Sequence, residues 1–245
     1  MDNNLIFGLH SVKAAVEFHP TDVLSAWVEK GNESKTGEVV ELLEQIGTKI
    51  QYVPKKTLDA MVDGSNHQGV VIKIREQPAK GDNELYDLVD KTDRCFLLIL
   101  DNVTDPQNLG ACFRNADAAG VTAIVVPKDK SVGITGTVRK VASGAVEQVP
   151  FFQVTNLART LKTLQEKGIW IVGTAGEAEK LVYDTDLTGN IALVMGSEGT
   201  GMRRLTRENC DELVKLPMNG SVSSLNVSVA SGIFLYEVVR QRLAK

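Results

Sequence analysis

Apolar and polar positions follow two rhythms along the 245-residue chain. In the first third, short β-rich runs (NLIFG, VLSAWVE, KIQYV, GVVIKI) interleave with amphipathic helical patterns at SVKAAVEFH, EVVELLEQI and KTLDAMV. That alternation predicts a small α/β unit over residues 1–75. The stretch EQPAKGDNE has proline, glycine and charge but no periodic apolar positions, which predicts a flexible linker at 76–90 acting as a hinge. From Cys95 the runs lengthen. CFLLILD, TAIVVP, VPFFQV, IWIVGTAG, IALVMG and DELVKLP are set among LGACFRNADAAG, VRKVAS, NLARTLKTLQEKG and a closing helix, NVSVASGIFLYEVVRQRLA. Continuously apolar strands separated by helices predict a parallel sheet covered on both faces over residues 91–245.

Such sheets bind ligands beyond the carboxyl ends of their strands, and the polar residues of interest fall there. Asp101 to Asn108 follow LLIL, Thr174 to Gly176 follow WIVG, Gly196 to Gly201 follow ALVM, and Pro217 to Asn226 follow LVKL. Any one of these loops reads as an ordinary turn, since glycine, asparagine and serine are common turn residues. Four of them, each just past a buried strand, point to one shared site. GSEGTGM at Gly196 spells G-x-x-G-x-G, which is neither the dinucleotide fingerprint nor the nucleoside-triphosphate loop. Its glycines nevertheless allow a ligand close to the backbone. Glu198, a carboxylate among three glycines, reads either as a solvated turn or as the partner of a cation, with Arg114 the candidate. Arg114 in turn reads either as a solvated helix residue or as a buried guanidinium suited to phosphate.

Composition narrows the class. No stretch approaches the ~18 uncharged apolar residues of a membrane span, and MDNNLIFGLHSVK lacks the regions of a signal peptide. A soluble cytoplasmic protein is expected. Cys95, Cys112 and Cys210 are odd in number, distant and free of C-x-x-C, so neither a disulfide framework nor a zinc site is expected. The net charge of −4 argues against nucleic acid only until it is divided by region. Residues 76–90 hold 1 basic and 5 acidic groups, against 18 and 16 in residues 91–245. Lys128, Lys130, Arg139, Lys140, Arg203, Arg204 and Arg207 either gather into a phosphate-facing patch or stand as scattered solvated charges.

Three motifs, NLGACFR (Asn108 to Arg114), MGSEGTGM (Met195 to Met202) and LPMNGSVSSLNVSVASGIFLYE (Leu216 to Glu237), closely resemble those of the SPOUT class of methyltransferases. The similarity is to its SpoU-type branch, which methylates the ribose 2′-hydroxyl of RNA. It covers residues 91–245 strongly. Residues 1–75, with GLHSV at Gly8 and HQGV at His67, look more loosely like the RNA-binding domain of bacterial ribosomal-RNA members, an L30e-like α/β unit. The resemblance implies a deep trefoil knot in the carboxyl-terminal domain, which ordinary connection rules would disfavour. It also implies S-adenosylmethionine as cofactor, a homodimer and no metal. Carried over by position, the cofactor-binding residues would be Thr174, Ala175, Gly176, Gly196, Leu216, Pro217, Met218, Ser224, Leu225 and Asn226. Asn108, Arg114, Glu198, Ser224 and Asn226 would form the reaction centre.

The implied activity is methyl transfer from S-adenosylmethionine to a guanosine ribose in 23S ribosomal RNA. The alternatives are a 2′-O-methyltransferase of transfer RNA and a non-catalytic RNA-binding protein of ribosome assembly. His10, His19 and His67 all lie in the amino-terminal third, so a histidine base is not expected. Arg114 titrates above ~12, so the role expected of it is to hold phosphate and stabilise charge on the ribose oxygen, oriented by Glu198. His10 and His67 either touch RNA or are satisfied locally at a helix start and a turn.

Overall fold

The computed structural model describes residues 4–75 and 79–244. In chain order the first elements are β1 (Leu5–Phe7), α1 (Leu9–Phe18), β2 (Val23–Glu29), α2 (Glu33–Gln45), β3 (Ile50–Val53), α3 (Lys55–Met61) and β4 (Val70–Ile74). There follow α4 (Asp82–Asp90), β5 (Phe96–Asp101), α5 (Pro106–Ala118), β6 (Ala123–Pro127), α6 (Gly136–Ala142), α7 (Ala145–Gln148), β7 (Phe151–Val154) and α8 (Leu157–Glu166). The last are β8 (Trp170–Thr174), β9 (Lys180–Leu181), β10 (Ile191–Gly196), α9 (Arg204–Glu208), β11 (Glu212–Lys215) and α10 (Val227–Leu243). They form two compact units: the described residues up to 75 with Gly133–Gln148, and Ala79–Val132 with the chain from Val149 onward.

The first unit is a four-stranded sheet in the order β1-β4-β2-β3. β4 runs antiparallel to both neighbours and β2 parallel to β3. Its core holds Ile6, Val12, Val16, Val28, Val39, Leu43 and Ile72. Residues 133–148, expected to belong with the carboxyl-terminal domain, pack here instead. α6 lies against β1 and α1, and α7 against α1. The apolar positions explain the choice: Val138, Ala142, Ala145 and Val146 are buried. Ser11 donates to the carbonyl of Arg139 at 3.1 Å, Arg139 pairs with Glu147, and the Lys140 ammonium sits 5.9 Å over the Phe7 ring.

In the second unit seven strands run in the order β7-β6-β5-β10-β8-β11-β9, each pair parallel. β5 is buried at all six positions, as a strand covered on both faces must be. β10 lies beside it with Ile191 opposite Phe96 and Gly196 opposite Asp101, which brings the loops after these two strands together. Leu157, Leu161 and Leu164 turn α8 onto the sheet, and Asn156 caps that helix by accepting from Arg159 N–H at 3.1 Å.

Of the expected linker, residues 76–78 lie outside the described residues, and Asp82–Asp90 are helix α4. Leu85 and Val89 anchor it in the core of the second unit. Glu84 accepts from Gly81 N–H at 3.0 Å at its start, and Asp82 accepts from the Thr160 hydroxyl at 2.8 Å.

Candidate functional site

The carboxyl ends of β8, β10 and β11 open into a cavity of about 380 Å³. Its wall mixes backbone edges with apolar side chains: Met195, Val214, Leu216 and Phe234 line it beside Thr174, Ala175 and Gly176. The loop after β10 is folded tightly on itself. Gly201 N–H donates to the carbonyl of Ser197 at 3.0 Å and Thr200 N–H to that of Glu198 at 3.0 Å. The Ser197 and Thr200 hydroxyls are 2.7 Å apart. A Cβ on Gly196 would lie 2.1 Å from the carbonyl carbon of Gly201, so only glycine permits this closure.

Glu198 is the junction of the site. Its Oε1 accepts from Asn226 Nδ2 at 2.5 Å, from Val227 N–H at 3.2 Å and from Asn108 Nδ2 at 3.3 Å. Asn226 Nδ2 also donates to Asn108 Oδ1 at 2.9 Å, while its own Oδ1 caps α10 by accepting from Ser228 N–H at 2.9 Å. The first turn of α5, the loop after β10 and the loop between β11 and α10 are thereby joined through one carboxylate and two amides. α5 and α10 are clasped further along, where Asn115 donates to the carbonyl of Ser228 at 2.6 Å and the hydroxyl of Ser231 at 2.9 Å.

Of the residues singled out in the sequence, Thr174, Ala175, Gly176, Gly196, Glu198, Leu216, Met218, Ser224 and Leu225 line the cavity. Pro217, Asn108, Arg114 and Asn226 are not part of its wall. Asn108 and Asn226 reach it through Glu198, as described. Arg114 is exposed on α5 rather than buried. Among the described residues its side chain makes no hydrogen bond or ion pair, and the cation expected beside Glu198 is replaced by amide and backbone N–H donors. The physical reason is local: the first N–H groups of α10 carry partial positive charge and lack helical partners.

The expected basic patch is also largely committed to carboxylates. Arg139 pairs with Glu147, Arg203 with Asp101, Arg204 with Glu208 and Arg207 with Glu177. Two of these pairs belong to the site and were missed from sequence. Arg207 and Glu177 both line the cavity. Asp101, 0% exposed, is gripped by Arg203 through the backbone N–H at 2.8 Å, Nε at 2.7 Å and Nη2 at 2.7 Å. This fastens the end of β5 to the end of the glycine loop. An aspartate closing an otherwise apolar strand was the available signal, because a buried carboxylate requires a partner.

The chain also has recognisable relatives. Residues 95–236 match the SpoU rRNA Methylase family, and residues 5–79 match the family described as RNA 2′-O ribose methyltransferase substrate binding. The chain is 55% identical to the 23S rRNA (guanosine-2′-O-)-methyltransferase RlmB of Vibrio vulnificus, over 100% of this chain and 99% of that protein. It is 53% identical to the RlmB of Escherichia coli K12, over 98% and 99%. The crystal structure of the SpoU methyltransferase AviRb from Streptomyces viridochromogenes, in complex with the cofactor AdoMet, superposes with a TM-score of 0.84. That match has 26% identity and covers 98% of this chain and 91% of that one. With a family match over more than half its length and full-length relatives above 50% identity, the chain belongs to the SpoU rRNA methylase family.

Proposed function

We propose that this protein transfers a methyl group from S-adenosylmethionine to the ribose 2′-hydroxyl of a guanosine in 23S ribosomal RNA, as its RlmB relatives are named for doing. The observation that carries the reading is the knot of hydrogen bonds among Asn108, Glu198 and Asn226 beside the cavity. The residues present suit the cofactor: apolar side chains offer a face for an adenine ring and a thioether chain. The closed glycine loop and the backbone at the ends of β8 and β11 offer edges for hydrogen bonds. When bound there, the cofactor supplies a methyl group activated by positive charge on sulfur.

The chain's own residues do the rest by position. Glu198, held by Asn108, Asn226 and Val227, fixes the loop after β10 against the starts of α5 and α10, so the site is organised before RNA arrives. Ser224 lines the cavity without a hydrogen-bond partner among the described residues and is assigned to orient the sugar. Arg114, exposed and uncommitted, is assigned to the phosphate beside the target ribose and to the charge that develops on its oxygen. No histidine occurs after His67, and a guanidinium that titrates above ~12 is a poor base. Proton removal is therefore left to solvent at the rim.

The finer expectations fit the same reading. The domain of residues 1–75 holds the RNA, the domain of residues 91–245 carries out methyl transfer in the cytoplasm, and the region from β10 to α10 forms the trefoil knot. A homodimer is supported by Val229, Ile233 and Tyr236, which repeat along one face of α10 and are 53%, 37% and 52% exposed. The test uses 23S rRNA and tritiated S-adenosylmethionine. Arg114→Ala is expected to lose about 10²–10³-fold in turnover while calorimetry shows unchanged cofactor binding; near-normal turnover removes Arg114 from the mechanism. Mapping 2′-O-methylation in ribosomal RNA from cells lacking the protein then identifies the nucleotide.

A further inference from the structure

Among the described residues, Arg207 and Glu177 are the one ion pair with both partners on the wall of the cavity at the ends of β8, β10 and β11. Their backbones are held in place. Ala178 N–H donates to the carbonyl of Ala175 at 3.0 Å and Ala175 N–H to that of Val214 at 3.0 Å, so Glu177 sits in a turn tied to β11. Arg207 lies on α9, where its N–H donates to the carbonyl of Arg203 at 3.0 Å and the neighbouring Thr206 is buried. Two fixed points therefore carry the two charges. The side chains are 43% and 58% exposed, and an ion pair that open to water adds little to stability. Its place on the cavity wall calls for another role.

Arg207 reaches Oε1 of Glu177 through Nη1 alone. Nε and Nη2 of the guanidinium and Oε2 of the carboxylate are uncommitted among the described residues, so each partner can bind a second group without giving up the first. Of the other charged residues on this wall, Glu198 is committed to Asn108, Asn226 and Val227. Lys215 is a single cation without an ion pair among the described residues. An anion alone would be repelled by Glu177, and a cation alone by Arg207. A group that carries both signs side by side meets an opposite charge on each. The amino-acid end of S-adenosylmethionine is such a group, with its α-ammonium and α-carboxylate on one carbon. Strand order agrees: β8, which Glu177 follows, is the neighbour of β10, so the loop of the pair stands beside the loop of Glu198.

We propose that Glu177 and Arg207 form the receptor for the amino-acid end of the cofactor. Glu177 takes the α-ammonium, and Arg207 takes the α-carboxylate along its free Nε and Nη2 edge. Four charges then alternate in sign. The assignment rests on the cofactor reading given above and adds to it two residues that decide which adenosine sulfur compounds the cavity prefers.

The test is calorimetry on the full-length protein with two ligands: S-adenosylhomocysteine, which keeps the amino-acid end, and 5′-methylthioadenosine, which lacks it. Arg207→Gln and Glu177→Gln are each expected to weaken binding of S-adenosylhomocysteine about tenfold and to leave that of 5′-methylthioadenosine unchanged. The exchange variant Glu177→Arg/Arg207→Glu restores an ion pair, and with it the wild-type melting temperature. It does not restore affinity for S-adenosylhomocysteine, because each charge of the ligand then faces its like. Lys215→Gln keeps the wild-type preference between the two ligands. An equal loss for both ligands in the single variants would make the pair a structural latch and overturn the proposal. Recovery of S-adenosylhomocysteine binding in the exchange variant, or the same loss of preference in Lys215→Gln, overturns it too. A wild-type protein that binds neither ligand removes the cofactor reading and the receptor together. One that shows the pair-dependent preference yet methylates no RNA keeps the receptor and loses the methyltransferase reading.

Discussion

Asp101 and Arg203 illustrate how unequal the two halves of an ion pair are. The carboxylate is fully buried while the guanidinium is 39% exposed, so removing each has a different consequence. Arg203→Ala leaves an uncompensated charge in the interior and is expected to cost about 3–5 kcal/mol. Asp101→Asn leaves an arginine free to turn into water and is expected to cost about 1–3 kcal/mol. Urea denaturation of the two variants checks the order, and equal losses would show that burial of the carboxylate is not what the pair offsets. Single residues were legible in the sequence as chemistry but not as pairings. Asn108, Glu198 and Asn226 stood out as polar groups after apolar strands, and the structure joins them. The partner expected for Glu198 was wrong because residue type carries no distance: the carboxylate faces the start of α10, where Val227 N–H waits.

At the level of elements, α10 carries a titratable clasp of its own. Glu237, its side chain 5% exposed, accepts from Arg240 Nε and Nη2, each at 2.8 Å, and from Gln241 at 2.8 Å. The Arg240 hydrogen bonds foremost hold its carboxyl below the usual range. Because the folded value lies below the unfolded one, near ~4.3, the clasp stabilises the helix above that pH. Its contribution fades as pH falls through the folded value. The melting temperature of wild type should exceed that of Glu237→Gln at neutral pH, with the gap closing below about pH 4; a gap that persists in acid would mean the charge is not responsible. The long parallel strands were readable because burial on both faces leaves unbroken apolar runs such as FLLILD and IALVMG. α4 was not, since Leu85 and Val89 are set among acidic residues in a segment opened by proline and glycine. Its helix depends on Glu84 at the cap and on tertiary packing.

Across the whole molecule, all three cysteines belong to the second unit. Burial pushes the thiols of Cys95 and Cys112 up to about 11. Burial and then the charges of Asp211 and Asp101 push Cys210 up to about 12. Thiolate is the reactive form, so native protein at neutral pH should resist iodoacetamide and take up label at all three cysteines only on denaturation. Mass spectrometry of partly denatured samples would then follow the opening of the second unit alone; fast native labelling would contradict the burial. The division into two bodies was legible from the change of rhythm near residue 76, but the crossing of residues 133–148 was not. A short apolar helix looks the same whichever neighbour covers it, and Val138 and Ala142 fit either. The crossing has a consequence for biosynthesis. The amino-terminal third leaves the ribosome first, yet the surface of β1 and α1 that receives α6 and α7 stays bare until Gln148 has emerged. The first unit therefore finishes assembling only after part of the second has been translated.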